Sequence, residues 1–164
     1  TLQEAEKLLP EVERAMKDAL APFDRANGEN PYSVQYDLQD TMQKLVGIVR
    51  TESEMREAIT KIGALNERAA RVGVAGHREY NAGWHTSLDL RNLLTVSEAI
   101  ARSAVERRES RGGHFREDCP DKVTEFATFN FTIKKAADGS MQLGRTPLPE
   151  MPAELKAVVE EQKT

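Results

Sequence analysis

The stretch LDLRNLLTVSEAIARSAVERRESRGGHFRED, Leu88 to Asp118, decides the fold. Leu90, Leu93, Leu94, Ile100, Ala101, Ala104 and Val105 recur at spacings near three and four, which predicts a helix with one apolar face turned toward a partner. The other side carries Arg91, Glu98, Arg102 and Glu106. Glu98 to Arg102 and Arg102 to Glu106 are i,i+4 pairs worth about 0.2–0.5 kcal/mol each, as on a solvated face. After Ser110 the helical period stops at Arg111-Gly112-Gly113-His114-Phe115-Arg116-Glu117-Asp118, a run too dense in charge and glycine for a plain connector.

Upstream, Leu8, Leu9, Val12, Met16 and Leu20 keep helical spacing, but Pro10 removes a backbone donor, so a short lead-in and then a helix from about Leu9 are expected. Asn27-Gly28-Glu29-Asn30-Pro31 reads as a loop that ends in an N-cap followed by a first-turn proline. The second helix then runs to about Arg50, with Val34, Leu38, Met42, Leu45 and Val49 on one face. Thr51-Glu52-Ser53-Glu54 has the spacing of a capping box, in which the Glu54 carboxylate returns to the Thr51 amide and opens a third helix almost without a loop. Met55, Ile59, Ile62, Leu65, Ala69 and Val72 form its apolar side, and Gly73 and Gly76 offer left-handed positions at its end. His77 to Thr86 crosses back, with Thr86 or Ser87 capping the helix of the opening stretch and Trp84 and Tyr80 closing one end of the core. So tight a connection favours antiparallel neighbours.

Beyond Pro120 the period becomes two, with Phe129, Phe131 and Ile133 on one side of a strand. Asp138-Gly139 suits a reversal, Met141 to Arg145 returns as a second strand, and Pro152 opens a short helix bearing Leu155, Val158 and Val159. The expected fold class is therefore mainly α. It is an antiparallel three-helix bundle over 31–110, of the spectrin-repeat type, with an additional N-terminal helix and loop over 1–30. Residues 111–164 supply the arginine-glycine-glycine-histidine turn, a β-hairpin and an extended tail, all within one domain.

Composition narrows the function. A net charge of −4 and a pI near 5.5 over 164 residues give no electrostatic case for a nucleic-acid partner. No stretch approaches the ~18 apolar residues of a membrane span. The single Cys119 forms no internal disulfide, and His77, His85 and His114 have no metal-ligand spacing, so no metal site is expected. No Gly-x-Gly-x-x-Gly follows a strand, and Gly112-Gly113 comes after a helix instead of before one, so no phosphate cradle is expected here; separately, no catalytic residue for hydride transfer is recognisable in the chain.

The segment Arg108-Glu109-Ser110-Arg111-Gly112-Gly113-His114-Phe115-Arg116-Glu117-Asp118, with Asn92-Leu93-Leu94, Ser103-Ala104 and Tyr80-Asn81 before it, resembles the C-terminal domain of the flavoprotein subunit of succinate dehydrogenase and fumarate reductase. L-aspartate oxidase, a relative, has a similar segment, and an autonomous helical interaction module without a redox role is the remaining alternative. The resemblance implies a piece of a longer FAD-containing polypeptide that interconverts succinate and fumarate and passes electrons to an iron-sulfur subunit. It implies no FAD on this chain alone, neighbours in the flavin-binding and capping domains, and a peripheral place on the cytoplasmic side of the inner membrane, reached only through other subunits. Glu109, Ser110, Arg111, Gly112, His114, Arg116 and Asp118 would then form an interdomain or assembly face. That role makes Arg111, His114 and Arg116 dispensable for the domain's own fold. Arg145, in an Arg-x-Pro setting, resembles a tail arginine that supports flavin attachment.

Overall fold

The computed structural model describes residues 2–25 and 27–162. Three antiparallel helices, α2 (Pro31–Leu45), α3 (Glu52–Ala69) and α4 (Ala82–Glu106), pack pairwise around one core. Val34, Leu38, Ile62, Leu65, Leu90, Leu94 and Ala101 meet there. The N-terminal helix α1 (Leu2–Leu20) precedes them. A hairpin of β3 (Phe129–Lys135) and β4 (Met141–Pro147) and the short helix α5 (Ala153–Glu161) follow.

Several boundaries differ from the sequence reading, each for a physical reason. α1 runs straight through Pro10. Proline removes one backbone donor there, in a stretch whose residues 8–18 are exposed. Asn30 does cap α2, its Oδ1 accepting from the Tyr32 amide at 2.9 Å. That helix stops at Leu45, however, because the chain is drawn into a short strand, β1 (Val49–Arg50), parallel to β2 (Phe115–Arg116). Val49 is thus half exposed instead of continuing the apolar face.

Thr51 caps α3 through its hydroxyl, which accepts from the Glu54 amide at 3.4 Å. The Glu54 carboxylate accepts a hydrogen bond from that hydroxyl at 2.7 Å instead of reaching the Thr51 amide. At the far end only Gly76 is left-handed, with φ +94°; Gly73 serves close approach, since a Cβ there would run into the Arg25 carbonyl and Gly28. The cap of α4 lies five to six residues earlier than expected. Asn81 caps it, accepting from the Trp84 amide at 2.9 Å and donating to the carbonyls of Ala75 and His77, both at 2.9 Å.

Trp84 does close that end: its indole N–H donates to the Ala19 carbonyl at 2.7 Å and its ring lies 5.4 Å from that of Phe23. Tyr80 does not. It is fully exposed, with φ 54°, because the Asn81 cap fixes the turn and leaves the ring in water. The hairpin holds Phe129 opposite Pro147 and Phe131 opposite Arg145, with Gly139 at φ +85° in the turn. Leu155, Val158 and Val159 of α5 remain exposed. Among the described residues no helix is long and apolar enough to cross a membrane.

Candidate functional site

The charged turn after α4 folds back onto the start of α3, and its residues fall into two anchored pairs and one histidine. Glu109 has no exposed surface. Its carboxylate accepts from Arg107 Nη1 at 2.6 Å, Arg111 Nε at 2.9 Å, Arg111 Nη2 at 3.0 Å and the Val123 amide at 2.8 Å. The bonds to Arg111, then those to Val123 and Arg107, outweigh desolvation and hold the Glu109 carboxyl down at about 2. Gly112, at φ +59°, makes the reversal that lets Arg111 and His114 exchange backbone bonds of 2.8 and 3.0 Å.

Arg116 is the second anchor, and the expectation that the fold spares it is corrected here. The side chain is fully buried. Nη1 donates to the carbonyls of Val105 at 2.8 Å, Arg107 at 3.3 Å and Ala104 at 3.4 Å, the free acceptors at the end of α4. Nε and Nη2 grip both oxygens of Asp118, at 2.9 and 2.6 Å, and Nη2 also reaches Glu52 at 3.3 Å. Asp118 in turn accepts the Glu52 amide at 3.0 Å, at the N-terminus of α3. The cation therefore sits on the negative end of one helix and the anion on the positive end of the next, each favoured by the helix dipole. This pairing raises the Arg116 pKa and lowers that of Asp118 to about 2. Ser110 ties the loop internally: its Oγ accepts from the Arg116 amide at 2.8 Å and donates to the Cys119 carbonyl at 2.9 Å.

His114 joins three elements. Its Nδ1 is 2.8 Å from Arg50 Nη1, and its Nε2 is 3.1 Å from the Arg107 carbonyl. A guanidinium only donates and a carbonyl only accepts, so the ring is neutral with its proton on Nε2. Burial first, then the charges of Arg50, Arg116 and Arg107, lowers its pKa. The sequence reading missed Arg50 and Glu52, because they lie more than sixty residues away and Arg50 fell where a helix was expected to continue. Arg145 lies apart, its guanidinium 4.6 Å above the Phe129 ring and paired with Glu125 at 2.9 Å.

The turn does not fit a dinucleotide. Its glycines follow a helix instead of opening one, and Arg111 and Arg116 are committed to Glu109 and Asp118, so neither a helix N-terminus after the glycines nor an uncommitted guanidinium of that pair is offered to a pyrophosphate. Among the described residues no three His, Cys, Asp or Glu side chains converge as a metal set.

Acid exposes the electrostatic design. Glu109 is depressed in the folded state, so its contribution is complete above the unfolded carboxyl value near 4.3 and disappears as pH falls toward about 2. We expect denaturation midpoints to fall steeply between about pH 4.5 and 2, with roughly 2–3 kcal/mol from Glu109. A Glu109→Gln variant should lose stability at pH 7 and show a flatter acid limb. An unchanged acid limb would mean that Glu109 does not titrate with folding.

These features define a helical-bundle domain closed by an internally paired arginine-carboxylate turn and trailed by a hairpin. The family model described as "Fumarate reductase flavoprotein C-term" matches residues 35–161, and the chain belongs to that family. The fumarate reductase flavoprotein subunit of Mycobacterium tuberculosis is 32% identical over 122 residues, covering 74% of this chain and 21% of its own length. In the structure of Mycobacterium smegmatis Sdh1 in complex with UQ1, the similar region is 36% identical with a TM-score of 0.85, and covers 93% of this chain and 26% of that one. L-aspartate oxidase of Yersinia pestis is 38% identical over 91 residues, covering 54% of this chain and 16% of its own. The chain thus spans about a fifth of the length of the curated relatives it matches.

Proposed function

We propose that this chain is the C-terminal helical domain of the FAD-containing subunit of a succinate dehydrogenase or fumarate reductase. The parent polypeptide interconverts succinate and fumarate, moving a hydride between a substrate carbon and FAD. FAD is carried by its other domains, and electrons pass to an iron-sulfur subunit. This domain packs against the flavin-binding and capping domains, and the whole is held peripherally on the cytoplasmic side of the inner membrane through other subunits. The observation that carries the reading is the match to Sdh1 over 93% of the chain. The L-aspartate oxidase similarities, over 54% and 60% of the chain, support the second reading less well.

In this account Glu109, Ser110, Gly112 and the Arg116–Asp118 pair shape the turn that faces the neighbouring domains. Arg111 and His114 lie at its partly exposed margin, and Arg145 supports flavin attachment. The test is spectroscopic. The parent polypeptide should keep stoichiometric flavin absorbance through gel filtration, and succinate but not L-aspartate should bleach it anaerobically. The 164-residue chain alone should be colourless. Bleaching by L-aspartate would move the chain to the oxidase. Flavin retained on the isolated chain would overturn the division of labour.

A further inference from the structure

α4 carries a second apolar stripe that the bundle does not use. Leu93, Val96 and Ile100 are 39%, 57% and 45% exposed, whereas Leu90, Leu94 and Ala101, one step around the helix, are almost wholly buried. Val96 and Ile100 of the stripe, with Ala99 and Ser103, form one wall of a cleft of about 420 Å³, with Phe131 and Ile133 of the hairpin opposite. At the end nearest the C-terminus of α4 the cleft is lined by Arg50, Arg107 and His114, and no carboxylate lines it.

The cations there are not equivalent. Arg107 is neutralised by Glu109, at 2.6 Å. Arg50 has only neutral partners: its Nε donates to the carbonyls of Gly47 at 2.6 Å and Val46 at 3.2 Å, and its Nη1 to His114. Among the described residues no carboxylate lies within ion-pair distance of it. Burial lowers its pKa, the direction expected of a guanidinium whose charge is not compensated. A half-buried guanidinium with unused donors beside an uncovered apolar wall is one half of a binding site.

We infer that this cleft receives another segment of the same flavoprotein polypeptide, in which apolar side chains cover Val96 and Ile100 and a carboxylate pairs with Arg50. The inference rests on the reading of this chain as one domain of a longer flavoprotein. Two observations choose the occupant. Charge complementarity calls for an anion at Arg50, while the apolar wall calls for a protein surface and not a free ion. The chain covers only 21% and 26% of its fumarate reductase and Sdh1 relatives, so most of such a molecule is tethered alongside, at high effective concentration.

The test is cysteine accessibility. In a Cys119→Ser background, Val96→Cys places a thiol on the stripe, and its maleimide labelling rate is compared in the isolated chain and in the parent flavoprotein. Labelling should be about tenfold or more slower in the parent. Arg50→Gln should abolish that protection and Arg50→Lys should retain part of it, since a point charge replaces a fork. Arg50 also holds two carbonyls, so Ile100→Glu, which sets a like charge in the cleft without touching those bonds, should abolish protection as well. Equal labelling in chain and parent would overturn the inference. So would protection that develops only when an iron-sulfur subunit is added, because the occupant would then be a separate chain. Protection untouched by both Arg50→Gln and Ile100→Glu would remove the carboxylate. A parent that keeps flavin and turns over succinate while this thiol stays open would leave the proposed function standing and remove only the docking.

Discussion

Arg116→Ala is expected to cost about 3–5 kcal/mol, a large fraction of what holds a domain of this size together. The loss comes less from the missing attraction than from what is left behind. Asp118 would keep a charge beside the α3 N-terminus with no bidentate partner, and the carbonyls of Ala104, Val105 and Arg107 would lose the buried donor they share. Arg116→Lys should fall between wild type and alanine, because one ammonium cannot serve Asp118 and three carbonyls together. Arg111→Ala should cost less, since Arg107 and the Val123 amide still hold Glu109 and the Arg111 side chain is 36% exposed. Urea denaturation of the isolated chain at pH 7 measures all three. A loss below about 1 kcal/mol for Arg116→Ala would mean that water replaces the guanidinium and that the turn belongs to assembly alone.

The sequence makes some of this legible and hides the rest for reasons that can be named. The bundle follows from apolar spacing, because Val34, Leu38, Met55, Ile62, Leu65, Leu90 and Leu94 repeat at helical intervals and are buried as the pattern requires. The Asn30 cap, the Thr51 cap and the hairpin turn at Gly139 are short-range devices, and local chemistry specifies them. Long-range pairing is what the pattern cannot carry. β1 exists only because β2 lies beside it, so a helix expected to reach Arg50 stops at Leu45. Arg116 reads from the sequence as part of an assembly face, and only the meeting of the α4 C-terminus with the α3 N-terminus turns it into an internal staple. The charged turn stands out in the sequence, but its density of arginine and carboxylate reflects pairs made inside the domain. Arg50, whose partners are two carbonyls and His114, carries no signal of its own in the sequence.

The sharpest test of the helix faces is Leu94→Asp, which is expected to unfold the chain. Leu94 has no exposed surface and packs with Val34, Leu38, Ile62, Leu65 and Leu90. An aspartate there has neither partner nor water, and burial of an unpaired charge costs several kcal/mol, comparable with the stability available. Six residues on, Ile100 also reads as part of the apolar face in the sequence, yet it is 45% exposed. Ile100→Asp in the isolated chain should therefore stay within about 0.5 kcal/mol of wild type, the usual range for surface positions. Thr51→Ala should lie between them, at about 0.5–2 kcal/mol, because it removes one capping acceptor from the start of α3. Far-ultraviolet circular dichroism at 25 °C followed by urea titration ranks the three. If Ile100→Asp were as damaging as Leu94→Asp, α4 would have to be rotated so that Leu93 and Ile100 face the bundle, and the cleft beside the hairpin would vanish with that rotation.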